Sequence, residues 1–217
     1  MRTRSRVIPP RSSASRVRSG WPAVTGLLLL SALPILGGVL RLEELGTDPA
    51  SAPSSPLLTV AIVAHIVGMS VYCLLGAFQF SPALRGRRAW HRRAGRVLIP
   101  AGMIGALGSI ALGVFFYGPA DAFGLAVVRI AFAVPMLVFL VLATRAIARR
   151  RFAAHSAWMT RAYAIAVTGG TQALVLIVWS ILGGEPSIVS ETWLVGVGFV
   201  INSLVAEGII RRRLRRG

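Results

Sequence analysis

Apolar stretches dominate the chain and alternate with short polar connectors. Six of them, residues 21–40, 57–80, 97–117, 123–144, 158–182 and 193–210, are each close to the roughly 20 residues a helix needs to cross bilayer hydrocarbon. Only helices satisfy their own backbone within one such segment, so the pattern predicts an all-α polytopic transmembrane bundle of about six spans. In the second stretch His65, Gly68, Tyr72, Gly76 and Gln79 recur at helical spacing and mark one polar, small face. In the third, Ala101, Gly105, Ser109 and Gly113 form a small-residue ridge suited to close helix packing, within the bundle or between subunits. In the fifth, Arg161, Thr168, Gln172 and Trp179 share a face. Ser81-Pro82 is expected to stop the second helix, and Pro135 to kink the fourth.

The connectors divide by charge. All the basic residues are arginine, and 22 of the 24 fall in the N-terminal arm, the connectors after the second and fourth stretches, the start of the fifth, and the C-terminal tail. Arginine accumulates in cytoplasmic loops, which predicts that both termini are cytoplasmic. Residues 41–56 and the GGEPSIVSE connector, by contrast, are acidic. The predicted organisation is a basic disordered arm over residues 1–20, a bundle over 21–210 and a basic tail over 211–217. A signal peptide competes for the first stretch, but the apolar run is too long and no small-residue cleavage site follows, so a retained helix is expected. With 55% apolar and 14% charged residues and a mean hydropathy of +0.71, the chain is unsuited to a soluble surface. The net charge of +17 would suit nucleic acid, but its arrangement in blocks beside apolar segments suits anionic lipids instead. Arginine without lysine, with abundant Ala and Gly, hints at a GC-rich bacterial genome and hence an inner-membrane location. The lone Cys73 excludes an intrachain disulfide and a cysteine metal cluster.

Two blocks carry a family resemblance: His65 with Gly76-Ala77-Phe78-Gln79-Phe80, His91 and Gly95-Arg96, then His155-Ser156-Ala157-Trp158-Met159-Thr160-Arg161. Over about residues 57–180 the chain resembles the predicted membrane proteins grouped as domain-of-unknown-function family 2306. The resemblance implies a multi-span bundle and brings no established activity. The family usually has Arg where this chain has Ser156, so an ion-pairing role at that position is not expected here.

Two sites are expected. At 1.5 Å of rise per residue His65 lies about 12 Å, Arg129 about 9 Å, Gln172 about 15 Å and Asn202 about 13 Å from the outer ends of their helices. Polar side chains at one depth suggest a pocket in which Arg129 holds an anionic group and His65 exchanges protons. The alternative is four separate interhelical hydrogen bonds with Arg129 snorkelling outward. At the opposite face Gln79, Trp90, His91, His155, Trp158, Arg161 and Glu207 gather. His91 and His155 suit axial haem ligation, Gln79 and Arg161 would support the bound group, and nearby arginines suit propionates or lipid phosphates. The alternative there is a basic, aromatic rim at the lipid headgroups. Three histidines limit the chain to one bis-histidine haem b. No phosphate loop, Cys-x-x-Cys or His-Glu-x-x-His occurs, and no metal site is expected. Three functions stay open: a small redox protein binding haem b or a quinone, a transporter or lipid-binding protein using the outer pocket, and a non-catalytic accessory subunit; a homo-oligomer and a membrane partner subunit both stay open as assemblies.

Overall fold

The computed structural model describes residues 20–53, 55–115 and 123–215. The arm expected over residues 1–20, Gly20 apart, the connector between the third and fourth apolar stretches and the last two residues of the basic tail lie outside them. The described chain is helical: α1 (Trp21–Thr47), α2 (Pro56–Phe78), α3 (Pro82–Gly86), α4 (Arg88–Phe115), α5 (Phe123–Ala148), α6 (Phe152–Ala166), α7 (Thr168–Gly183) and α8 (Ile188–Leu214), with a 3-10 turn at Pro49–Ser51. No strand occurs among the described residues. Six helices are long and apolar enough to cross a membrane, α6 and α7 together forming the fifth.

Several helices outrun the apolar stretches that predict them. α1 continues through Arg-Leu-Glu-Glu-Leu, expected as loop, because these residues form helix readily and Arg41 pairs with Glu44 at 2.5 Å. It stops where Asp48 accepts a hydrogen bond from the Ala50 amide at 2.9 Å, starting the 3-10 turn. The arginine-rich connector after α2 is also mostly helix. α2 ends at Phe78, Pro82 opens the single turn of α3, and α4 begins at Arg88, so Trp90 and His91 stand on a helix. Hydropathy marks where lipid ends, and the backbone ladder continues past that point wherever residues allow. α5 runs unbroken through Pro135 to Ala148. It closes with Arg150 at φ 57, the Arg150 amide donating to the Ile147 carbonyl and the Arg151 amide to the Ala146 carbonyl. This is the left-handed terminus that usually employs glycine.

The spans close into a ring. α1 packs on α2 and α7, α2 most extensively on α4, α4 on α5, α5 on α6 and α8, and α8 on α6 and α7. Tyr72, Leu98, Met136, Leu140, Ala162 and Tyr163 form the buried centre. The small-residue ridge of α4 is used inside the bundle. A Cβ on Gly68 would stand 2.7 Å from the Ala101 carbonyl oxygen, and one on Gly108 would stand 2.8 Å from that of Ala61, so α2 and α4 meet backbone to backbone. The feature that suggested subunit contacts is therefore consumed by the fold.

The expected single fifth helix is interrupted. At Val167 (φ −80, ψ 2) α6 ends and α7 begins, midway along the span. Val-Thr-Gly-Gly-Thr at 167–171 has low helix propensity, and the α1 backbone at the Leu30 carbonyl approaches Gly170 so closely that no side chain would fit. Carbonyls at the break are satisfied from neighbouring helices, as a buried interruption in hydrocarbon requires. Asn202 of α8 donates to the Ala164 carbonyl at 3.1 Å, and the Cys73 thiol of α2 lies 3.6 Å from the Ala166 carbonyl.

Candidate functional site

The polar face predicted on α2 exists but serves two cavities at different depths. One, of about 680 Å³, lies at the arginine-rich end between α2, α4, α6 and α8. Tyr72 and Gln79 line it from α2 and its end, His91 from the first turn of α4, and His155, Thr160 and Tyr163 from α6. Arg88, Arg92 and Arg213 also border it, and Leu98, Ile99, Ile147, Phe152 and Met159 supply apolar walls. Gly76 lets the Tyr163 ring lie directly on α2, with no room for a side chain between them. Tyr163 donates to the Cys73 carbonyl at 2.7 Å and stacks at a tilt against Phe80, 4.9 Å between centroids. Arg213 of α8 reaches the Ser156 and Thr160 hydroxyls at 3.3 and 3.4 Å.

Both histidines of the expected pair border this cavity, each with Nδ1 held by oxygen. His155 donates Nδ1–H to the Ala143 carbonyl at 3.0 Å, and His91 bonds through Nδ1 to the Gln79 side-chain oxygen. A carbonyl only accepts, so Nδ1 carries the proton and Nε2 of His155 is the basic nitrogen. Two donors are left over. The Tyr72 hydroxyl and Gln79 Nε2 are buried and have no hydrogen-bond partner among the described residues. Tyr72 itself is 0% exposed.

Arg161, expected in the same cluster, is committed elsewhere. Its guanidinium grips Glu207 of α8 through two bonds, 2.5 and 3.0 Å, and lies over the Trp158 ring at 4.7 Å. It does not line the cavity. With Thr168 facing Asn202 and Gln172 donating to the Val195 carbonyl at 3.2 Å, the predicted polar face of the fifth span is the surface that α8 covers.

The second cavity, about 200 Å³, is lined by His65, Arg129 and Gln172, three of the four residues expected to share a pocket. The break at Val167 forms part of its wall, with Ser31, Ser70, Cys73 and Ser109. His65 donates Nδ1–H to the Gly105 carbonyl at 3.0 Å. Asn202 does not join them. α8 starts at Ile188, earlier than its apolar run, which sets Asn202 about 21 Å along its helix at 1.5 Å per residue. There it bonds Thr171, Thr168 and the Ala164 carbonyl beside the break. Among the described residues no three His, Cys, Asp or Glu side chains are grouped to hold a metal.

Sequence reasoning missed Thr160, Tyr163 and Arg213 in the larger cavity, and Ser31, Ser70, Ser109 and the Val167 break in the smaller. Only the break carried a signal, the Val-Thr-Gly-Gly-Thr run inside an over-long span.

The helices and their buried polar clusters define a multi-pass integral membrane protein. The chain belongs to the family described as "Predicted membrane protein (DUF2306)", which matches residues 62–210 and so takes in α8 as well as the stretch where the resemblance was visible. No curated protein and no solved structure matches the chain.

Proposed function

We propose that the protein binds a quinone headgroup in the arginine-bordered cavity, as a small membrane redox protein. The observation that carries this reading is the pair of orphaned donors, Tyr72 Oη and Gln79 Nε2, buried at one cavity beside His91 and His155. A buried donor without an acceptor costs about 1–3 kcal/mol, so two at one cavity favour a ligand that brings oxygen acceptors. A quinone brings two carbonyls on a flat apolar ring, and 680 Å³ is within the usual range for such ligands. The histidines would exchange protons at those oxygens. Arg88 and Arg92 would favour any negative charge that develops there, and the arginine-rich face would rest on anionic lipid at the cytoplasmic side of the cell membrane, with both termini on that side.

One observation favours haem b instead. Both imidazoles hold Nδ1–H on an oxygen, the arrangement that orients a ligating histidine. Oxidised and dithionite-reduced spectra of detergent-purified protein, with organic extraction of the same sample, separate the two. A reducible Soret band lost in His91→Ala and His155→Ala identifies haem. A quinone in the extract, or saturable binding of a short-chain ubiquinone analogue weakened by Tyr72→Phe, supports the quinone. Neither result from protein produced with both available overturns the redox reading and leaves an accessory subunit.

A further inference from the structure

The smaller cavity is built from other residues, and its chemistry is different. No acidic side chain lines it, while Arg129 and His65 do. Arg129 stands in an apolar span about 9 Å from the start of α5 at 1.5 Å per residue, where an unpaired cation costs several kcal/mol. Arg41 pairs with Glu44 and Arg161 with Glu207, and among the described residues no carboxylate is within pairing distance of Arg129. Glu191, at the start of α8, acts on it electrostatically but does not line the cavity. The hydroxyls of Ser70 and Ser109 border the cavity with no hydrogen-bond partner among the described residues, and His65 spends only Nδ1 on the protein. The floor is the broken helix at Val167, where the carboxyl end of α6 meets the amino end of α7 and their opposite partial charges offset, which leaves Arg129 as the charge that sets the sign of the site.

We propose that this cavity is a binding site for a small monovalent anion, chloride or a short carboxylate, held by Arg129 with Ser70, Ser109 and His65 at the break in the fifth span. The lining sets the class: a guanidinium beside hydroxyls, with no carboxylate, suits an anion, and about 200 Å³ against the 680 Å³ of the larger cavity favours a small one. The site stands whether or not the larger cavity binds a quinone.

The test is thermal unfolding of detergent-purified protein in sodium chloride, sodium formate or sodium gluconate at one ionic strength, gluconate being the bulkiest and most hydrated of the three. Wild type is expected to be stabilised saturably by chloride or formate relative to gluconate. Arg129→Gln should raise the apparent dissociation constant roughly tenfold or more, the loss of one charged hydrogen bond, while in gluconate the variant should unfold above wild type, because the unpaired cation is gone. If Arg129→Gln does not fold, Ser70→Ala/Ser109→Ala carries the test, with a severalfold loss expected. Tighter binding of formate identifies a carboxylate site, and tighter binding of chloride a halide site. Equal stabilisation by gluconate, or an affinity unchanged in the variants, overturns the proposal.

Discussion

Tyr72→Phe separates a structural hydroxyl from one held for a ligand. The ring stays: it lies against Gly102, where a Cβ would stand 2.9 Å from it, and 5.8 Å from the Tyr163 ring between centroids. Only the hydroxyl is lost, and it is buried without a partner. Removing an unsatisfied polar group of about 1–3 kcal/mol should stabilise the ligand-free protein by about 1 kcal/mol or more, a rise of roughly 2–4 °C in Tm for a chain of this size. Binding should move the other way, because the variant forfeits a hydrogen bond worth about 0.5–1.5 kcal/mol net, roughly 2- to 13-fold in Kd. The assay is thermal unfolding of delipidated protein beside titration with a short-chain ubiquinone analogue. A stability gain coupled to an affinity loss is the signature of a group kept for its ligand. A fall in Tm without ligand, or an unchanged Kd, would refute the reasoning.

Other consequences follow from single contacts. Arg150→Gly should raise stability by about 1 kcal/mol, since the left-handed backbone at φ 57 burdens a residue with a Cβ; thermal unfolding that shows no gain would deny the strain. Gly68→Ala should cost about 1–3 kcal/mol, because the new methyl meets α4 backbone at 2.7 Å. A wild-type Tm in that variant would mean α2 and α4 are not in backbone contact. Arg161→Leu should destabilise more than Arg161→Leu/Glu207→Leu, with a coupling of about 1 kcal/mol or more in a double-mutant cycle; additive costs would place the pair apart.

How far the sites were legible depends on the residue. Gln79, His91 and His155 could be assigned together because each sits at the arginine-rich end of an apolar run, and helix direction alone brings such ends to one face. His65, Arg129 and Gln172, set at similar depths by their positions in sequence, line one cavity. Asn202 failed because depth was measured from the apolar boundary while α8 begins at Ile188, which moved it to the break. Arg161 failed for another reason: depth and type suited the cluster, but its rotation about the helix axis points it at Glu207 and α8. Nothing in the neighbouring sequence encodes that rotation. The helix ends at Thr47 and Arg88 were missed because charge ends the hydrocarbon without ending the hydrogen-bond ladder.

By itself the sequence determined the number of spans, their direction relative to one another, and which ends carry the arginines. Those follow from local physics, since a backbone in hydrocarbon must satisfy itself within one segment and a charge must stay near water. Only the tertiary structure decided which polar groups meet, that Tyr72 and Gln79 keep unspent donors, and that the fifth span breaks at Val167 against α1. The physical reason is that a membrane helix is apolar toward lipid and toward the core alike. Its sequence therefore carries little record of which face turns inward, and packing against five other spans has to settle it.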